Sequence, residues 1–435
     1  MDHKRIAFQT FGCKLNFAET STIARQMKEE GFEVVGHKEE ADVYVINSCV
    51  VTANAEKKCR AAIRQSKKRN PKSRVAVVGC FSQIMEDELK AMKEVDLVIG
   101  NEEKFMLKDY LEHKTYTGAC HSFVGNINKS ETFQPSWSSG DRTRSFLKIQ
   151  DGCDYFCSYC TIPLARGRSR SASIADTVRM AEEIGKTPMR EIILTGVNIG
   201  DFGKPHGESF FGLMQELDNV AGIDRIRISS IEPELLNEKM ISFVAESKKF
   251  LPHFHIPLQS GSNTILKAMR RKYAREVFAQ RVGEIKKYMP VACIAADVIV
   301  GFPGETETEF METYRFLESL DISYMHVFTY SVRKGTKAAN TDGKVDAYTK
   351  RDRSKRLHEL SEKKKSFFYR RNTGKHVSVL FESDNSGGYM HGFSENYLKV
   401  KTRFNESLIN EIIPLTLGEP TGNNEFVYLP KSSIT

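Results

Sequence analysis

Three cysteines stand within eight residues, in Ile149-Gln-Asp-Gly-Cys153-Asp-Tyr-Phe-Cys157-Ser-Tyr-Cys160, a density that core packing does not explain. Thiolates at such spacing hold metal. A structural zinc site requires a fourth Cys or His at a regular interval, but the next candidates are His206, His253, His255 and Cys293. Three thiolates on a four-iron cluster instead leave one iron open to bind and reduce a ligand. The competing reading of this stretch is a partial zinc knuckle or a set of buried thiols.

Three further cysteines are far apart in sequence, yet each lies just past an apolar, β-branched run. Cys13 comes after Ile6-Ala-Phe8, Cys49 after Val43-Tyr-Val-Ile46 and Cys80 after Val75-Ala-Val-Val78. In a parallel α/β sheet the loops at the carboxyl ends of the strands converge, so these three thiols can meet at one cluster. Gly12 and Gly79 each precede one of the cysteines, as expected where the backbone turns tightly and lets a ligand approach. Cys59 in mid-helix, Cys120 between domains and Cys293 in an apolar strand read as inert thiols.

The elements that must position these residues follow from hydrophobic period. Residues 1–120 alternate the runs above, and Leu97-Val-Ile99, with helical stretches near Glu19–Glu30, Asn54–Arg69 and Gln83–Met92. That pattern predicts a doubly wound parallel α/β domain. A polar segment follows, with Gly118, Gly125, Gln134-Pro135 and Ser136-Trp-Ser-Ser-Gly140, and it predicts a linker over 121–143 in which Trp137 serves packing. Residues 144–370 resume the alternation, with strands at Phe146–Ile149, Glu191–Leu194, Arg225–Ile228, His253–Ile256, Ile294–Val300 and Tyr324–Phe328. Six such units make a partial (β/α)6 barrel whose working loops lie at the carboxyl ends of its strands. Those ends include Thr195-Gly196, Ser229-Ser-Ile-Glu-Pro233, Leu258-Gln-Ser-Gly-Ser262 and Gly301-Phe-Pro-Gly304; the last reads equally as a plain turn or as a ligand contact. His253 and His255 share one strand face, where barrel filling is favoured over metal ligation. Residues 371–435 show short strands at His376–Phe381, Tyr397–Thr402 and Glu425–Leu429, which predict a small antiparallel β-barrel of about five strands.

Charge is distributed unevenly around a net +8. From Lys57 to Arg74 there are nine bases and no acid, and from Arg333 to Lys375 fifteen bases face five acids. Either block can be a solvated face, but two of them flanking an iron-sulfur core favour a polyanionic partner, most simply RNA. Residues 371–435 carry six bases and seven acids, so that module is no basic clamp. The N-terminus Met-Asp-His-Lys-Arg is charged, and the longest apolar stretch, Val291–Phe302, is interrupted by Asp297 and too short to span a bilayer. Nine cysteines without a signal sequence suit a reducing cytoplasm.

The spacing Cys153, Cys157, Tyr159, Cys160 resembles the Cys-x3-Cys-x-aromatic-Cys signature of radical S-adenosylmethionine (SAM) enzymes. Together with Phe11-Gly-Cys13-Lys-Leu-Asn16, Asn47-Ser-Cys49 and Gly79-Cys80, it resembles the methylthiotransferases along essentially the whole chain. The resemblance implies two 4Fe-4S clusters, one on Cys153, Cys157 and Cys160, the other on Cys13, Cys49 and Cys80. It implies SAM contacts from Tyr159 and Gly196, and a C-terminal module like the TRAM domain, which holds substrate.

The implied chemistry is sulfur insertion at an unactivated C–H bond. A 5′-deoxyadenosyl radical takes hydrogen from carbon two of an adenine, the second cluster supplies sulfur, and a second SAM supplies the methyl group. The implied partners are the anticodon stem-loop of tRNA, an electron donor and a sulfur donor. Family members modify threonylcarbamoyladenosine or isopentenyladenosine beside the anticodon, at tRNA position 37, or a ribosomal-protein aspartate. Gly12-Cys-Lys-Leu-Asn16, Leu147-Lys-Ile-Gln-Asp-Gly-Cys153 and Ala165-Arg-Gly-Arg-Ser-Arg-Ser171 most resemble the threonylcarbamoyladenosine branch, whereas the isopentenyl branch has Gln and Met at the positions of Lys14 and Leu15. A carboxylate-bearing substrate calls for a forked cation, and Arg166, Arg168 and Arg170 are the candidates, with phosphate contact or helix capping as their alternative role. From another class, the chain reads as a non-catalytic iron-sulfur protein for RNA binding or electron transfer. Two open triads argue against that, because carriers close all four sites with Cys.

Overall fold

A computed structural model describes residues 4–112, 119–139 and 143–429. Its first sheet consists of β1 (Arg5–Thr10), β2 (Glu33–Val35), β3 (Val43–Ser48), β4 (Arg74–Gly79), β5 (Leu97–Ile99) and β6 (His121–Phe123). The strands lie in the order β2-β1-β3-β4-β5-β6, and every pairing is parallel. Both faces of β3 and β5 are buried, as near-continuous apolar runs require when helices cover each side. On one face Tyr44, Ile46, Val75 and Val77 pack under Ala62 and Ile63 of α2 (Ala53–Arg69), and on the other Val43, Val45, Ala76 and Val78 pack under Ile23 and Met27 of α1 (Lys14–Glu29).

Two strands escaped the sequence pattern. β2 is three residues long and β6 is only half-buried, so neither shows alternation. The expected linker therefore needs correction. Residues 121–123 belong to the first sheet, and β7 (Ser136–Trp137) pairs antiparallel with β8 (Arg144–Lys148) of the second. Trp137 does pack, under the guanidinium of Arg25 at 4.1 Å. Residues 140–142 of that segment, like Gly118 before it, lie outside the described residues.

A short hairpin of β9 (Gln150–Asp151) and β10 (Arg170–Ser171) follows, and then β11 (Glu191–Thr195), β12 (Arg225–Ile228), β13 (His253–Gln259), β14 (Cys293–Val300) and β15 (Tyr324–Thr329). Strands β8, β11 and β12 pair in parallel, as do β13, β14 and β15, and bridges Ile226 to Phe250 and Ser230 to His255 join the two groups. Six strands thus run in chain order around an open barrel. Its helices start where Ser173, Ser209, Asn237 and Thr306 accept a backbone N–H, and Thr306 with Glu309 closes a capping box. Helix α1 packs against β7 and β8 at the barrel's flank, with the Phe17 and Phe146 rings 6.5 Å apart.

The last module is an open, curled sheet of β16 (His376–Phe381), β17 (Tyr389–Ser394), β18 (Lys399–Arg403), β19 (Ile412–Thr416) and β20 (Phe426–Val427), ordered β19-β16-β17-β18-β20. All its pairings are antiparallel except β18 with β20. The sheet docks on the amino ends of the barrel strands. Arg227 pairs with the fully buried Glu191 at 2.8 Å, donates to the Ser394 and Glu395 carbonyls, and lies 4.9 Å from the Tyr397 ring. Burial alone would raise the Glu191 pKa, but Arg227 and Arg144 hold it below the usual carboxylate range. Arg227→Met removes the principal partner of a buried carboxylate, and we expect a loss of about 3–5 kcal/mol in denaturant unfolding. Limited proteolysis should then release the C-terminal module, whereas Arg190→Met at the exposed Asp224 pair should cost under about 1 kcal/mol.

Candidate active site between two cysteine sets

In the first sheet the strand order reverses between β1 and β3, and the crevice at such a switch point is where doubly wound sheets bind ligands. Cys13 caps α1 just past β1, Cys49 directly follows β3, and Cys80 starts the short helix after β4. A Cβ on Gly12 (φ +98°) would lie 2.8 Å from the Cys49 Sγ, and one on Gly79 (φ +98°) would lie 2.5 Å from Asn47. Glycine at both positions lets the thiol-bearing loops close on one another. Asn101 brings its Nδ2 to 3.7 Å from the Cys80 Sγ while donating to the Ala165 carbonyl at 2.6 Å. Cys13 is solvent-accessible, and the surrounding protein raises its pKa against the lowering pull of Arg166.

The second set lies in the loop after β9. Gly152 (φ +71°) permits it, because a Cβ there would strike the Arg168 carbonyl, and Cys153 N–H donates to Gly167 O at 3.0 Å. Ser158 fixes the middle of the loop by bonding Ala268 O and Met269 O. Each thiol sulfur meets a donor: Tyr155 N at 3.4 Å from Cys153, Ile162 N at 3.4 Å from Cys160, and Arg271 Nη1 at 3.2 Å from Cys157. Burial pushes Cys49, Cys153 and Cys160 up to about 12, the state of free thiols, which coordination to a metal reverses. Donors aimed at sulfur fit clusters held by three thiolates with one open iron; beside the first set Cys59 is turned to the backbone, its Sγ donating to Cys49 O at 4.0 Å.

Between the two sets lies a cavity of about 240 Å³. Tyr159, Cys160 and Ile162 bound it on one side, Val51 and Thr52 of the Cys49 loop on another, and Gln259, Asp297, Phe328 and Tyr330 at the strand ends. Arg333 clamps the two domains at its edge, pairing with Glu56 and donating to Val50 O. Inside the barrel His255, Asp297 and His326 form a layer, with His255 Nε2 and Asp297 Oδ1 2.7 Å apart. His253, one level lower, stacks on Tyr397 at 4.4 Å and fills the barrel floor.

The arginine candidates require correction. Arg166 is 1% exposed and contacts Glu19 at 3.0 Å, Asp151 at 2.9 Å and Asn16 at 2.6 Å. Arg170 is also buried, held by Asp151 at 3.7 Å and by the Arg166 and Arg168 carbonyls. Only Arg168 is exposed, beside Asp154 and over the Phe156 ring. Sequence spacing could not reveal this, since Glu19 comes from the other domain. Gly196 ends β11 in a turn held by Gln150, whose Oε1 accepts from Val197 N and Asn198 N. Gly301 makes room for the Lys350 side chain, and Phe302 packs on Tyr159. Arg271 and Glu232 pair beside Cys157; Glu232 was legible only as a residue of a strand-end loop and Arg271 not at all, and burial raises Glu232 to about 7 against the pull of Arg271.

The same interior charges join the two cysteine sets. Glu19 and Asp151, both buried, face four cations: Lys104, Lys148, Arg166 and Arg170. This surplus of positive charge includes Arg166, which pulls the Cys13 pKa down against the burial that raises it.

A six-strand barrel bearing this loop defines a radical SAM enzyme. Residues 5–100 match the uncharacterized protein family UPF0004, and residues 147–317 match the Radical SAM superfamily. The chain is 38% identical to the Bacillus subtilis threonylcarbamoyladenosine tRNA methylthiotransferase MtaB, over 99% of this chain and 98% of that relative. It is 35% identical to the Thermotoga maritima protein of the same name, over 91% of each. It is 32% identical to the tRNA-2-methylthio-N(6)-dimethylallyladenosine synthase of Alkaliphilus oremlandii, over 96% of this chain and 91% of the relative. Over 77% of its length the chain shares its fold, at 12% identity and a TM-score of 0.57, with 75% of the radical S-adenosylmethionine methyltransferase TsrM of Kitasatospora setae. The chain belongs to the radical SAM tRNA methylthiotransferase family, whose members use SAM and 4Fe-4S clusters. Among the described residues no helix is long and apolar enough to cross a membrane.

Glu19 supplies the test of this interior. Burial would raise its pKa, yet Arg166, Lys104 and Lys148 hold it well below the usual carboxylate range. Its contribution is therefore complete above the unfolded value near 4.3 and is lost as pH falls through the depressed folded value. Glu19→Gln should lower stability by about 3–5 kcal/mol at neutral pH and flatten the acid limb, measured as denaturant midpoints between about pH 7 and pH 3.

Proposed function

We propose that the protein methylthiolates carbon two of N6-threonylcarbamoyladenosine beside the tRNA anticodon. The observation that carries this reading is a cavity bounded by Cys160 and Tyr159 on one side and by Val51 and Thr52, just past Cys49, on the other, so that one bound base lies between the two sets. In this reading Cys153, Cys157 and Cys160 hold the cluster at which SAM binds, and Cys13, Cys49 and Cys80 hold the cluster that donates sulfur. When bound, these groups supply the electron, the sulfur and the methyl group of the reaction.

The protein's own work is placement. Arg271 fixes Cys157 and is itself fixed by Glu232, while Tyr159 offers an aromatic face to SAM against Phe302, 6.3 Å away, with Gly196 after β11 as the second SAM contact of this reading. Arg333 closes the edge against water. An electron donor and a sulfur donor complete the cycle, in the cytoplasm where thiols stay reduced. The threonylcarbamoyl branch is favoured by the two relatives of that name at 35–38% identity against 32% for the dimethylallyl relative.

RNA contact is supported by α2, which begins at the cavity with Thr52 and carries Lys57, Lys58, Arg64 and Lys68 exposed. Lys67 and Arg69 are occupied instead, by Asp96 and by the His37 carbonyl. Arg351, Lys355, Lys363 and Arg370 are exposed on the helix Ala347–Arg370, and Arg168 is exposed beside Asp154, where it can exchange that partner for a phosphate.

Two measurements test the reading. Replacing Cys153, Cys157 and Cys160 together with Ala should leave about half the iron with the fold intact, because each set has its own domain; complete loss of iron would refute separate sites. Nucleoside mass analysis of tRNA from a deletion strain should show unmethylthiolated threonylcarbamoyladenosine, restored by the wild-type gene. Loss of the methylthio group from isopentenyladenosine alone, or from a ribosomal protein, would reject the branch.

A further inference from the structure

Three asparagines stand around the first cysteine set, and the partners of each decide which end of its amide meets sulfur. Asn47 gives its Nδ2 to Asn16 O at 3.1 Å and to the Thr20 hydroxyl at 2.9 Å. Asn16 gives its Nδ2 to the Phe11 and Ser48 carbonyls, so its oxygen, which accepts from Arg166 at 2.6 Å, is the atom that faces the Cys13 Sγ at 3.9 Å. Asn101 is turned the other way. Its Oδ1 accepts from Lys104 at 2.9 Å, and an ammonium can only donate, so the amide nitrogen faces the Ala165 carbonyl at 2.6 Å and the Cys80 Sγ at 3.7 Å.

Asn101 lies buried just past β5, its own backbone N–H held by Gln83 at 2.9 Å. The Ala165 carbonyl belongs to the barrel helix Ile162–Arg166 that follows Cys160, and the helix Cys80–Ile84 packs against it. A second route reaches the same barrel helix, through Lys104, Glu19 and Arg166. Both hydrogens and the oxygen of the amide are committed, so it cannot rotate without stranding Lys104 or Ala165 O, both out of water. In the barrel Arg271 plays a matching part, donating to Cys157 while Glu232 holds it.

We infer that Asn101 is a positioning residue for the first cysteine set: its N–H to the Cys80 sulfur raises the reduction potential of the cluster held there, and its bond to Ala165 makes that donation depend on the register of the two domains. The inference rests on the two-cluster reading above. A hydrogen bond to a ligating sulfur stabilises the reduced cluster, which carries more negative charge, over the oxidised one. Asn101 does so without adding net charge. Leucine in its place keeps the approximate shape and the charge and removes the donor and the acceptor.

The test is a potentiometric titration of the holoenzyme followed by electron paramagnetic resonance, with each cluster's signal assigned from the variant that combines Cys153→Ala, Cys157→Ala and Cys160→Ala. Asn101→Leu should lower the midpoint of the first set's cluster by about 59 mV, a tenfold change in its one-electron reduction equilibrium, while the barrel cluster keeps its midpoint as the internal control. Unchanged midpoints at full iron content overturn the assignment. An equal shift of both clusters also overturns it, because a general loosening of the domain contact would produce that. Wild-type protein labelled with nitrogen-15 in its asparagine side chains needs no variant: electron-nuclear double resonance on the reduced first cluster should show a coupled nitrogen, since of the three amides Asn101 is the one that points its nitrogen at sulfur. Absence of that coupling overturns the inference even where Asn101→Leu loses its iron. A combined cysteine variant that holds no iron overturns the two-cluster reading first, and this inference with it.

Discussion

One buried ion cluster sets the distance between the two chemical centres. Glu19 from the first domain and Asp151 from the barrel are each out of water, and each is acceptable there only because Arg166 bridges them while Lys104, Lys148 and Arg170 complete the charge. Arg166 ends the helix that follows Cys160 and reaches Asn16, three residues past Cys13; Asn16 in turn donates to Ser48 O, the residue before Cys49. Any slip of one domain against the other would strand a charge. The pairing is thus a registry device more than a source of stability, and the cavity exists because it holds.

The two ends of the barrel are treated oppositely. At the amino ends of the strands Arg225, Arg227 and Glu191 join a stack of His253, Tyr397 and Phe393 that closes the floor with side chains from the last module. Tyr397 takes a positive φ of 65° to present its ring there. At the carboxyl ends Phe328 is exposed and Tyr330 and Arg333 frame an opening. Plugging one end with aromatic and ionic contacts leaves one entrance, and that entrance lies beside the start of the basic helix α2.

Much of the fold was legible because hydrophobic period is a local property. The six barrel strands and four strands of the first sheet stand where short apolar runs, most of them with β-branched residues, demanded them. β2, β6, β17 and β19 were missed for a shared reason: they are short or half-buried, so one face carries too few apolar residues to produce alternation. The supposed linker was a failure of the same kind, since Ser136 and Trp137 become a strand only by pairing with β8.

For the site, sequence alone determined the chemistry available. Cys153, Cys157 and Cys160 cannot be separated by more than a loop's reach, so their joint role is written in covalent spacing, and the carboxyl-end rule extends the argument to Cys13, Cys49 and Cys80. What tertiary structure alone decided was which charged residues remain free. Arg166 and Lys14 look alike in a sequence, bases six residues and one residue past a cysteine, but Glu19 and Asp151 pair with the first while Lys14 is exposed and, among the described residues, has no ion pair. The partner of a charge is set by contacts between residues more than a hundred positions apart, such as Glu19 and Arg166, and no local pattern encodes such pairs.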